Sequence, residues 1–268
     1  MGKNKISFSS YFSLLGELIK AAWFTFSADI KLFMIIALIF IVPINIVLSL
    51  FFPILEPIGD SAGLFIALRL LKGLFVIFTF MTVAYTVREK MRLPELKKWI
   101  YVKFITISKE KILTKAMPLA TYEISLSSIS KKIFPRLGDV IITGLMLFVF
   151  LVGLTTLLII PGIIYSVYWT FTTLVVLFKD KSGKAALDYS KSLVKGRWWK
   201  VLGCIMLVSL LVGIPSVFLQ LFVTSYLQQM LSNFFLNLVL TTVIDFISTL
   251  GIVAFVVLYL TLESTTKN

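Results

Sequence analysis

The stretch from Val140 to Phe178, VIITGLMLFVFLVGLTTLLIIPGIIYSVYWTFTTLVVLF, decides how this chain is arranged. It is about 40 residues long and carries no charged side chain. As a single helix it would run about 60 Å, twice the hydrocarbon thickness of a bilayer. Its middle holds Pro161-Gly162, a strong turn signal. Both flanks are basic: residues 88–136 hold twelve Lys/Arg against four acids, and residues 179–200 hold seven against two. Two basic flanks on one side of a membrane require an even number of crossings between them. The stretch therefore reads as a hairpin that reverses at Pro161-Gly162.

The same reading extends outward. A span needs about 20 mostly apolar residues. Runs at 30–52 and 64–87 supply spans one and two, the central stretch supplies 140–160 and 162–178, and 201–223 and 234–262 supply spans five and six. Segments 88–137 and 179–200 are basic, whereas the loop 53–63 holds Glu56 and Asp60 without a base and the loop 224–233 holds no charge. Of 26 Lys and Arg residues, all but Arg69 and Lys72 fall on one side, which positive charge marks as cytoplasmic. The expectation is one all-α integral membrane domain over 1–268. It is a polytopic transmembrane helix bundle with six spans in three hairpins, in the cytoplasmic membrane with both termini inside. Residues 1–29 mix charge with apolar residues and do not read as a cleavable signal, so Ile30 onward is an uncleaved first span.

Composition excludes several function classes. The chain is 59% hydrophobic and 15% charged, with mean hydropathy +0.99, whereas globular chains are about 25% charged. A single soluble core cannot hide that excess. The net charge of +13 reads as topology, and no soluble basic domain suggests a nucleic-acid partner. One cysteine, Cys204, and no histidine rule out an internal disulfide and a His-based triad, and remove the usual zinc and iron sites. No metal or cofactor is expected, and the chain does not read as an enzyme.

The basic segments are amphipathic. Between 185 and 195, Ala186, Tyr189 and Leu193 share a helical face; Gly196 stops the helix, and Arg197-Trp198-Trp199-Lys200 enters the membrane. Related elements precede span three (residues 125–132) and span one (residues 13–23), which suggests a threefold plan of basic helix plus hairpin. Trp23, Trp99, Gly196, Arg197, Trp198 and Trp199 are the expected interfacial anchors. Ser190, Ser192, Asp188 and Lys184 resemble a Ser–Lys nucleophile site, but Ser190 and Lys184 are six residues apart and out of helical phase, so the cluster reads as a solvated helix face.

The run from Arg136 to Leu211 carries a family resemblance. It contains Ile160-Pro161-Gly162-Ile163, then Asp180-Lys181-Ser182-Gly183-Lys184-Ala185-Ala186-Leu187-Asp188-Tyr189-Ser190, then Val194-Lys195-Gly196-Arg197-Trp198-Trp199. This ordered pattern resembles the membrane domain of glycerophosphoryl diester phosphodiesterases and the related YciC-type inner-membrane proteins, as does Leu15-Gly16-Glu17 through Trp23. In the fused enzymes a separate barrel with His and Glu ligands performs hydrolysis. The resemblance here covers only the membrane part, so it implies no phosphodiesterase activity for this chain.

Arg69 and Lys72 lie inside span two and Asp245 lies inside span six. Charges in hydrocarbon cost about 2.5–3.5 kcal/mol each and usually face a partner. Counted from the outer ends at about 1.5 Å per residue, Lys72 and Asp245 lie at similar depth, so Asp245 is expected to pair with Arg69 or Lys72. Snorkelling cations and a lone Asp245 is the alternative. Asn237, Thr241, Asp245 and Ser248 form a polar stripe on span six, and Ser166, Thr170 and Thr173 form another on span four. Two such stripes either hydrogen-bond between helices or line a hydrated path. Pro43 and Pro215 mark kinks. The basic face attracts anionic lipid at about 1 kcal/mol per Lys or Arg. The sequence thus reads as a non-enzymatic membrane protein that binds or organises lipids or a partner, with a transporter or permease for a small or amphiphilic solute as the alternative.

Overall fold

The computed structural model of the chain describes residues 16, 19–27, 29–55, 62–91, 126–223, 225 and 233–266. Among these it is helical with no strand, and six helical stretches are long and apolar enough to cross a membrane. Helix α1 (residues 19–27) buries Ala21, Ala22, Thr25 and Phe26. Span one joins α2 (Ile30–Ile36), a π-helical turn (Ala37–Ile41) and α3 (Val42–Leu55). Pro43 lacks a backbone N–H. Just before it the helix widens, and the Val42 N–H donates to Ala37 O. Helix α4 (Ala62–Met91) is span two.

Next come α5 (Leu126–Ile133), a 3₁₀ turn (Phe134–Arg136) and α6 (Leu137–Leu157). Span four is α7 (Ile159–Tyr168) followed by α8 (Thr172–Lys179), and α9 (Gly183–Val194) returns beside it. Helices α10 (Trp198–Phe222) and α11 (Asn233–Thr266) form the last hairpin. Spans one and two pack together, α6 packs on α7, and α10 packs on α11. The three hairpins are thus present. Helix α11 is the hub, touching α3, α4, α9 and α10.

Two features correct the expected middle hairpin. The chain reverses at Leu158, which is extended at φ −153°, ψ 114°, and not at Pro161-Gly162. Pro161 sits in the first turn of α7, where backbone N–H groups have no intrahelical acceptor and proline costs little. Gly162 is buried because a Cβ there would come within 3.0 Å of Thr155 Cα; it permits close approach of α6 and α7. The Pro-Gly pair therefore marks a helix start and a helix contact.

The second correction concerns span four and the amphipathic helix after it. Span four is interrupted at Trp169–Phe171, and the repair comes from α9. Ser190 O–H donates to Tyr168 O (2.8 Å) and Ser190 Oγ accepts from the Phe171 N–H (3.2 Å). One hydroxyl thus inserts into the broken ladder. Ser190 is fully buried, as are Ala186, Leu187, Leu193 and Val194. The solvated-face reading of Ser190 fails: the buried stripe of α9 runs through Ser190, while Tyr189 is only half-buried. Ser192, Asp188 and Lys184 are exposed.

The core sits toward the basic end. Met81 and Val83–Val87, Phe171, Leu174–Phe178, and Val253, Ala254 and Val256–Tyr259 are buried. Aromatic rings interlock there, with Phe171 5.0 Å from Phe255 and Phe178 5.8 Å from Tyr259. At the opposite end α4 is exposed on nearly every side between residues 66 and 74. Lipid tails solvate such apolar side chains as well as a protein core would, so close packing and backbone satisfaction hold the helices together.

Replacing Ser190 by Ala orphans one buried donor and one buried acceptor. Thermal unfolding in detergent is expected to show a loss of about 1–3 kcal/mol for Ser190→Ala, against a change within about 0.5 kcal/mol for Ser192→Ala on the same helix. Equal effects would remove the bridging role.

Candidate functional site

Two polar sites stand at opposite ends of the bundle. The first joins three spans. Lys72 Nζ on α4 lies 3.4 Å from Asp245 Oδ2 on α11, and Asn45 Nδ2 on α3 donates to the same oxygen at 3.0 Å. Asn45 also approaches Thr242 Oγ1 at 3.4 Å and is 1% exposed. By helical rise Asn45 lies about 10 Å, Lys72 about 12 Å and Asp245 about 16 Å from the far end of their spans. The cluster borders a cavity of about 60 Å³ that includes Phe40 and Ile41 of the π-helical turn. Lys72 and Asp245 keep 31% and 24% side-chain exposure.

Of the other residues expected here, Arg69 is exposed. Thr241 and Ser248 donate to Asn237 O and Ile244 O of their own helix. Ser166 is exposed and donates to Ile163 O, and Thr170 and Thr173 are half-buried. None of these three borders the Asp245 cavity, so the two stripes do not meet there. Asn45 was not anticipated. Its signal was available, because an amide two residues after Pro43 in an apolar span needs a polar partner.

The second site is built on the end of α8. The last carbonyls of a helix lack intrahelical donors and carry partial negative charge. Arg136 Nη1 donates to Val176 O and Leu177 O, each at 3.0 Å. Tyr85 O–H donates to Leu177 O at 3.0 Å, and Arg88 Nη2 donates to Phe178 O at 3.3 Å. Asp180 ends the helix in the left-handed region at φ 53°, tolerated by Asp through local bonding, and pairs with Arg136. Lys179 pairs with Glu263. Lys132 on α5 pairs with Glu89 on α4 at 3.2 Å.

Arg88, Glu89, Lys132, Arg136 and Asp180 wall a cavity of about 450 Å³ between α4, the α5–3₁₀ segment and the end of α8. An apolar groove of about 230 Å³ lies along the same two elements, lined by Phe78, Thr82, Ile129, Ile133 and Phe134 among others. Phe78 and Thr82 of the groove and Tyr85 and Glu89 of the cavity follow one another at three- and four-residue spacing, so they form one stripe of α4. That spacing is readable in the sequence, but its meaning depends on α5 lying against it.

Trp23 and Trp199 are exposed, at 58% and 76%. Gly196 takes φ 82°, which favours glycine, and the half-buried Arg197 donates its backbone N–H to Val194 O. Trp198 turns inward, donating its indole N–H to Ile164 O at 3.2 Å. Trp99 lies outside the described residues. Among the described residues, no group of three or more His, Cys, Asp or Glu could hold a metal ion; Cys204 is buried. No family model matches the chain, and neither a curated protein nor a solved structure matches it.

The Lys72–Asp245 pair is expected to couple in a double-mutant cycle. Asp245→Leu and Lys72→Met should each destabilise the protein in detergent unfolding, and the double variant should be less destabilised than their sum by about 0.5–3 kcal/mol. Simple additivity would leave the two charges independent.

Proposed function

We propose that this chain is a non-enzymatic membrane protein that holds phospholipid at its basic end, and that this end faces the cytoplasm. One observation carries the reading. A charged cavity and an apolar groove lie in sequence along one stripe of α4, with α5 and the 3₁₀ turn closing both. That is the shape of an amphiphile: a headgroup in the cavity and an acyl chain in the groove. Arg88, Lys132 and Arg136 present guanidinium and ammonium donors to a phosphate. Arg88 is fixed over the Phe178 ring, 4.5 Å from its centroid, so little order is lost on binding. The Lys/Arg excess around this end adds attraction to an anionic leaflet.

The test compares a phospholipid with a diacylglycerol of the same chains, each added to the purified protein in non-ionic detergent. Native mass spectrometry and thermal midpoints supply the readouts. Phospholipid is expected to bind and stabilise, diacylglycerol much less. Lys132→Gln should weaken phospholipid binding about fivefold, as one cation near a charged surface is worth about 1 kcal/mol. Ser130→Phe, which fills the groove, should weaken it too. Equal binding of the two lipids, unchanged by either substitution, would overturn the reading.

A further inference from the structure

Resting on the lipid-binding reading, we infer that the cavity at the end of α8 takes a headgroup bearing both a phosphate and a primary ammonium. The cavity wall carries both signs of charge: Arg88, Lys132 and Arg136 against Glu89 and Asp180. A site for a purely anionic headgroup would not gain from two carboxylates in its wall, because they repel the ligand and neutralise the cations meant for it. A zwitterionic headgroup uses both sets, since each phosphate donor and each ammonium acceptor finds a counterpart.

The carboxylates are placed for this use. Asp180 keeps 78% of its side chain exposed although it pairs with Arg136. Its left-handed backbone holds it beyond the last turn of α8, at the cavity. Glu89 keeps 27% exposure and stands on the α4 stripe that leads from the groove. A carboxylate accepts about four hydrogen bonds, so the pairing with Arg136 does not saturate Asp180. A primary ammonium donates three hydrogen bonds and can bridge two carboxylates; a trimethylated ammonium donates none. The site should therefore separate headgroups that differ only in methylation, and also those that lack nitrogen.

The experiment uses the full chain in non-ionic detergent, titrated with phosphatidylethanolamine, phosphatidylcholine and phosphatidylglycerol of identical acyl chains. A further titration uses soluble aminoethyl phosphate. Phosphatidylethanolamine is expected to bind at least about fivefold tighter than the other two, the factor that about 1 kcal/mol of added interaction gives. Asp180→Asn and Glu89→Gln should each reduce that preference while leaving phosphatidylglycerol binding equal or stronger. Because Glu89 also pairs with Lys132, Asp180→Asn is the variant that decides if Glu89→Gln loses its fold. Equal or tighter binding of phosphatidylglycerol, still weakened by Lys132→Gln, would overturn the ammonium inference and leave lipid binding in place. Failure of all three phospholipids to exceed diacylglycerol would remove the lipid reading itself. Aminoethyl phosphate binding as tightly as the anchored lipid would overturn the lipid source and make this a site for a soluble phosphate ester.

Discussion

A backbone group without a partner has no water to turn to inside a bilayer, and span four is broken within the bundle. The repair determines the architecture of the whole basic end. Ser190 reaches in from α9 to satisfy both edges of the gap, which requires α9 to leave the surface and bury one face. Below the gap α8 is short, so its last carbonyls fall inside the structure. Arg136, Tyr85 and Arg88 converge on those carbonyls from two other elements. Satisfying the end of one short helix thus assembles the cations that wall the large cavity.

Hydropathy and the placement of Lys and Arg were enough to read six spans and three hairpins, because those features express the solvent alone. The reversal at Leu158 was not legible. Leu158 is an ordinary apolar residue, and the Pro-Gly pair three residues later is equally suited to open a helix or to let two helices touch. Nor was the break at Trp169–Phe171, where no Pro or Gly interrupts the pattern. A hydroxyl on a separate helix carries the signal, and Ser190 looks like any polar residue of an amphipathic segment until its face is known. Lys72 and Asp245 were readable as opposite charges within about one helical turn of each other in depth, whereas Asn45 required the neighbourhood of a third span.

The two ends differ in how tightly their polar groups are held. At the basic end Arg88, Lys132, Arg136 and Lys179 each have a named protein partner, and α8 is buried along most of its length. At the far end α4 has little protein around it between residues 66 and 74. The Lys72–Asp245–Asn45 cluster ties α3, α4 and α11 together where apolar packing is thin. Apolar side chains gain nothing there by leaving lipid, but polar groups do. A cross-helix polar tie is therefore an effective way to keep the far part of a loose hairpin in register, and the π-helical turn before Pro43 helps set the direction of α3.

This division bears on which function the fold favours. A transporter needs access to a midplane site from both sides, and the small cavity at Asp245 is bordered toward the basic end by Thr79, Thr249 and Ile252, beyond which the buried aromatic layer of Phe171, Phe178 and Tyr259 begins. Opening a path through that layer would separate α8 from α11. It would also strain the contacts by which Ser190, Arg136 and Tyr85 satisfy span four. The site on α4 and α5 needs no such rearrangement. Its cavity and groove are walled by α4, α5 and the 3₁₀ turn, so the proposed lipid would lie against these elements without opening the core.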